Sequence, residues 1–247
     1  MMIDTQILSY AFKGAGPPIT GARIATVVAN EFLEVYDAGS TTNFRYYIRY
    51  LSTSRGSAVS EAPSTRKPKA NERLLFDFGT DYPALVEHGP RATAAIINDR
   101  NEPAYAAIVS SLEKETQKKL KRRFTFLCAE VSECVALSKE TAELGAQLLD
   151  LYTQQETLKR SFRNSVNDMM ILATALSCRE VFHTQDGPLA RFVARLKGAS
   201  VTPTGPRTIA VDFSRAAPMS RGVLRESKGY IHRGWRIAHL MKGVPPP

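Results

Sequence analysis

The chain has few of the residues that hold metals through sulfur or staple a secreted domain. Its 247 residues include three cysteines, Cys128, Cys134 and Cys178, an odd number without the paired spacing of a zinc site. The four histidines, His88, His183, His232 and His239, form no paired motif beside them. Buried free thiols in a reducing compartment are expected; a sulfur-ligated metal is not. No apolar run approaches the roughly 20 residues that a membrane-spanning helix requires. The opening "MMIDTQILSYAF" lacks a basic leader followed by a cleavable apolar region. A cytoplasmic protein with no membrane partner is therefore expected. Neither GxGxxG nor GxxxxGK[ST] occurs, so a nucleotide-binding α/β domain has no support.

A hydrophobic content of 43% with 9% aromatics suits a chain that buries a substantial core. Charge is unevenly placed. From Arg191 to Pro247, 11 Lys and Arg face two acids, a surplus equal to the whole net charge of +9. The body is neutral and the tail carries the excess.

Residues 2–12, "MIDTQILSYAF", read as a short apolar strand turning into a helix, with Asp4 at the junction. After a Gly/Pro break at 14–18, "TGARIATVVANEFLEVYDAG" has a helical apolar period that sets Glu31 and Glu34 one turn apart, with Glu34 expected on a solvated face. Residues 39–73 are rich in Ser, Pro and charge and predict a long exposed loop. "LLFDF", 74–78, is strand-like. A helix is expected over 103–124, its end carrying Lys114, Lys118, Lys119, Lys121, Arg122 and Arg123, a cluster that dipole matching explains in part. "LSKETAELGAQLLDLY" predicts an amphipathic helix, and "SVNDMMILATALS", 165–177, a buried one that opens near Asp168. "EVFHT" resembles a buried strand ending before Asp186, and "GPLARFVARL" resumes helix. This alternation predicts an α/β layered domain with a parallel sheet.

Functional groups of open parallel sheets collect beyond the carboxyl ends of strands. Asp4 and Asp186 occupy such ends, and Asp168 opens a helix that feeds the last of them. Crowded carboxylates repel one another, and a hard divalent cation with oxygen preference removes that penalty. Phosphate chemistry is the natural use of such an ion. Simpler readings stand beside this one. Ser165, Asn167 and Asp168 suit a helix cap, Asp186 in "TQDG" suits a turn, and Glu31 suits a solvated helix face.

The ordered segments "IDTQILSYAF", "TVVANEFLEV", "NSVNDMMILATAL" and "VFHTQDGPLARF" together resemble PIN domains, the metal-dependent ribonuclease fold of VapC-type toxins and related nucleases. The resemblance covers residues 1–38 and 124–197 and implies a three-layer α/β/α sandwich with a central, mostly parallel sheet. It implies a catalytic, metal-binding set of Asp4, Glu31, Asp168 and Asp186 holding Mg²⁺ or Mn²⁺, with Thr184 in support, and an activity of endoribonucleolytic hydrolysis in a toxin or defence setting. It also implies an antitoxin or other regulatory protein partner and a homodimer, neither visible in the residues.

Two departures accompany the resemblance. Residues 39–123 form an insertion, a flexible loop plus a helix with a basic end, and 198–247 form a basic C-terminal extension that interleaves cations with Tyr230, His232 and Trp235. Cations neutralise phosphates and aromatic rings stack on unpaired bases, so Lys119, Arg122, Arg123, Arg225, Lys228, Arg233, Trp235 and Arg236 are expected to bind RNA. Trp235 could equally anchor the tail to the core. The alternative function is a non-catalytic PIN-like module that binds RNA or protein.

Overall fold

Met2–Ile3 form strand β1, Asp4 caps the helix that follows, and Thr5–Phe12 form α1, as the pattern predicts. The structure is a computed structural model. It describes residues 1–36, 44–45, 73–78, 85–156, 162–196, 198–205, 208–213, 215, 230–231 and 235–240. The loop expected over 39–73 lies almost wholly outside the described residues.

The segment read as one long helix after Gly21 is a strand, β2 (Ala22–Ala25), followed by a short helix, α2 (Thr26–Phe32). Ala22, Ile24 and Ala25 are fully buried in the middle of a sheet, and a short apolar run of this kind carries no period that tells strand from helix. α2 ends at Phe32, so Glu31 lies in its last turn and Glu34 beyond it.

The main sheet has six strands. To β1 and β2 it adds β7 (Val131–Val135), β8 (Phe182–Thr184), β9 (Ser200–Pro203) and β10 (Ile209–Asp212), in the order β7-β2-β1-β8-β10-β9. The first four run parallel, while β10 is antiparallel to both its neighbours. With eight helices among the described residues, this is the α/β fold with a mostly parallel central sheet that the alternation predicts. β9 and β10 fall within the stretch assigned to the C-terminal extension, yet they complete this sheet. The chain steps outward from β1 to β2 to β7 and then returns to β8 on the far flank of β1. The strand order therefore reverses between β1 and β8, and this reversal opens a crevice at their carboxyl ends.

Helices α3 (Pro90–Asn98), α4 (Glu102–Val109) and α5 (Lys114–Glu130) come before β7. The single helix expected over 103–124 is thus two. Ser110 turns its hydroxyl back to Ala107 O at 2.7 Å, and the Gln117 amide donates to Leu112 O at 2.7 Å, which closes the ends of both helices locally. Phe12, Phe32 and Phe126 meet edge-on or tilted, with centroids 5.2–6.2 Å apart, and tie α1, α2 and α5 together.

A second sheet joins the insertion to the tail. Its order is β11 (Tyr230–Ile231), β12 (Trp235–Leu240), β5 (Arg73–Asp77), β6 (Leu85–His88), all antiparallel. It lies against α6 (Lys139–Gln155), and Phe78 just after β5 packs edge-to-face on Phe162 at 4.9 Å. β3 (Val35–Tyr36) and β4 (Phe44–Arg45) make a small antiparallel pair. The three cysteines are free thiols, two of them buried. Among the described residues no helix is long and apolar enough to cross a membrane.

The buried helix α7 runs from Phe162 to Cys178, starting earlier than its apolar run. Ser165, Asn167 and Asp168 are therefore interior to the helix and do not cap it, which corrects the capping alternative. α7 packs on α6 at Gly145, where a Cβ would lie 2.5 Å from Met170 Sδ and 3.3 Å from Met169 O. Met170 is itself buried, so it has little room to withdraw. Gly145→Ala should lower stability by about 1–3 kcal/mol in urea denaturation through overpacking, despite alanine's better helix propensity. Combined with Met170→Ala, it should cost less than the sum of the two single changes.

Candidate active site

The β1–β8 register pairs Ile3 with His183, so both strands release their chains at one level. Asp4 and Thr184 then stand side by side, with Asp4 N–H donating to His183 O at 3.1 Å. One oxygen of Asp4 accepts from Ile7 N–H at 2.8 Å and caps α1. The other accepts from the Thr184 hydroxyl at 2.5 Å and from Gln185 N–H at 3.3 Å. Thr184 accepts in turn from Asp186 N–H at 3.0 Å. Asp186 caps α8 (Gly187–Ala194) through Leu189 N–H at 2.7 Å, so it begins a helix and is no isolated turn. Thr184 is fully buried between the two acids.

Glu31 comes from the opposite side. It accepts from the Thr5 hydroxyl in a short hydrogen bond and from the Asn167 amide at 2.7 Å, which ties α2 to α1 and α7. Asp168, the next residue on α7, is half-buried. Asp4, Glu31, Asp168 and Asp186 all line one cleft of about 530 Å³, together with Glu34, Asn164 and Lys13. Sequence reasoning had no signal for Thr5 or Lys13, and it weighed Asn167 mainly as a cap.

Glu34 corrects an expectation. Its side chain is only 19% exposed, it faces Arg163 at 3.9 Å, and it belongs to the cleft. Burial pushes its carboxyl up to about 7; Arg163 opposes the rise and Glu31 adds to it. Arg123 corrects another. It donates to Phe32 O at 2.7 Å and Glu34 O at 3.0 Å and stacks on Phe32, so its guanidinium straps the end of α2. Lys119 and Arg122 are exposed on α5, with Arg122 lying over the Phe12 ring. Trp235 and Arg236 open β12, where they pair with Ile231 and Tyr230. Arg225, Lys228 and Arg233 lie outside the described residues.

Burial also raises the Asp4 carboxyl, against its three hydrogen bonds, and the neighbouring charge of Asp186 adds to the rise. A cation in the cleft would relieve both effects. Its five carboxylates supply only oxygen, the donor chemistry of Mg²⁺ or Mn²⁺. Among the described residues, no group of three or more His, Cys, Asp or Glu is posed as a finished metal-binding set. The cleft gathers fitting donors without closing them around a point. Compared with known proteins, the chain matches no family model, no curated protein and no solved structure.

Thr184→Val would leave Asp4 without its hydroxyl donor and Asp186 N–H without an acceptor. It should lower stability by about 1–3 kcal/mol in urea denaturation, with Thr184→Ser close to wild type. Glu34 binds its proton more readily in the folded chain than at the ordinary value of 4.5. Its contribution to stability is thus complete below pH 4.5 and lost as pH rises to about 7. In metal-free protein, Glu34→Gln should flatten that part of the stability–pH curve and make the chain more stable than wild type at pH 8.

Proposed function

We propose that the chain is a divalent-metal-dependent endoribonuclease that hydrolyses phosphodiester bonds, in keeping with the PIN domains its ordered segments resemble. One observation carries the reading: acids from four separate parts of the chain line a single cleft at the switch point of a parallel sheet. Asp4, Glu31, Asp168 and Asp186 would hold Mg²⁺ or Mn²⁺, which when bound supplies activated water and neutralises charge on the phosphate.

The chain's own groups prepare the site. Three donors fix the rotamer of Asp4, and two fix Glu31, so neither acid has to be ordered when a ligand arrives. Lys13 is the one cation among the described residues lining the cleft and suits a non-bridging phosphate oxygen. Glu34 lines the same cleft, its carboxyl raised to about 7 by burial in the metal-free chain. The exposed Lys119 and Arg122 on α5 extend basic character beside α1, a surface for the polyanion. The VapC-type resemblance supports a toxin or defence setting with a regulatory protein partner.

A second reading is a non-catalytic module that binds RNA or protein. It is favoured by the spread of the acids, which form no finished metal-binding set among the described residues. Labelled RNA and DNA incubated with Mn²⁺, Mg²⁺ or EDTA separate the two. Wild type should cut RNA only with metal, and Asp168→Asn should lose at least about a hundredfold in rate with its circular dichroism spectrum unchanged. Equal cutting by both proteins, or cutting in EDTA, would reject the metal-nuclease reading. RNA binding without any cutting in Mn²⁺ would support the second.

A further inference from the structure

A second cavity, of about 760 Å³, adjoins the acid cleft across α1 and shares Gln6 and Tyr10 with it. These two residues are one helical turn apart and therefore share a face, with Lys13 a further three residues on. Tyr10 is 41% exposed on the ridge between the two hollows, and the Lys13 ammonium lies 5.9 Å from the centre of its ring. The chemistry changes across that ridge. One side has five carboxylates. The other has no carboxylate among its described residues, and is lined by Ile3, Pro17 and Pro18 with the uncharged polar groups of Gln6, His183 and Gln185.

The far wall is built to stay in place. Ala15 N–H bonds to Tyr10 O at 3.0 Å, folding the loop back on the end of α1. Gly14 supplies a φ of +71° for this turn, and a Cβ at Gly16 would lie 2.7 Å from Ala11 N, so both glycines are required by the geometry. Pro17 and Pro18 then set the wall with little freedom left to lose. On the sheet side, the Gln185 amide donates to Thr208 at 3.0 Å, which orients it. His183, half-buried, brings an imidazole to the same wall, and its ring nitrogens can donate or accept.

A flat exposed ring, apolar walls, one oriented amide and an imidazole suit a nucleobase. The adjoining cleft suits the phosphate to which such a base is attached. We infer that the second cavity is a subsite for an unpaired base of a single-stranded RNA, with Tyr10 stacking on the base and Gln6, His183 and Gln185 meeting its edge. The inference rests on the reading of the acid cleft as a nuclease centre, whose substrate it narrows to strands with splayed bases. A duplex hides those base edges, and Tyr10 has no face to stack on.

Binding of the full chain to a short labelled single-stranded RNA, to its abasic derivatives and to a duplex of the same sequence tests this by fluorescence anisotropy. Tyr10 is exposed, so its substitution leaves the core intact. Tyr10→Ala should weaken single-strand binding about five- to a hundredfold, Tyr10→Phe should stay within about twofold of wild type, and duplex binding should not change. Removing one particular base should cost wild type a similar factor and cost Tyr10→Ala nothing more. A flat abasic scan, or wild-type affinity in Tyr10→Ala, overturns the subsite. If RNA is cleaved with Mn²⁺ while Tyr10→Ala keeps the wild-type KM, the subsite fails and the nuclease reading stands. If the binding effects appear without cleavage, the nuclease reading fails and the base subsite stands. Absence of RNA binding by wild type rejects both.

Discussion

One buried hydroxyl holds the centre of this molecule together. Thr184 donates to Asp4, 180 residues away in sequence, and accepts from the backbone of Asp186. It can do so only because β1 and β8 pair in parallel with Ile3 opposite His183. That pairing brings two strand ends to one level, and each end passes at once into a helix capped by its own acid. The same carboxylates thus serve the fold as caps and face the cleft as oxygen donors. A cap fixes the acid's orientation, and the cleft inherits that order.

Around this point, hydrophobic packing settles the remaining positions. The Phe12–Phe32–Phe126 cluster holds α2 against α1 and α5, which leaves Glu31 within reach of Thr5. α7 is buried along most of its length, and its rotational setting turns Asn167 toward Glu31 and Asp168 into the cleft. Burial raises the Asp4 and Glu34 carboxyls, and the nearby acids Asp186 and Glu31 add to the rise. Arg163 and Arg123 offset part of it from outside the ring of acids.

Much of this was legible in the residues. Asp4 and Asp186 follow short apolar strands directly, and the signal for such a junction is local. Other elements were not legible, for identifiable reasons. β2 is too short and too apolar to show a period, and β7, "VSECV", continues from α5 without a turn residue to mark its start. β9, "SVTP", is mostly polar and lies at the sheet's edge, and β10, "IAVD", is too short to show a period. Arg123 could have been separated from its neighbours by helical spacing alone, since it shares a face with Leu120, Phe124 and Leu127, all buried. Glu34 gave no such signal; its burial depends on contacts from α5 and α7, distant in sequence.

The second sheet imposes an order of events on synthesis. β5 is flanked by β6, which follows it closely, and by β12, which comes much later in the sequence. While the ribosome is still translating the segments in between, one edge of β5 has no native partner, and a bare strand edge invites pairing with other chains. That edge closes only once β12 itself has emerged. β12 therefore acts as a latch on a hairpin formed much earlier, and the edge of β5 stays open until the latch engages.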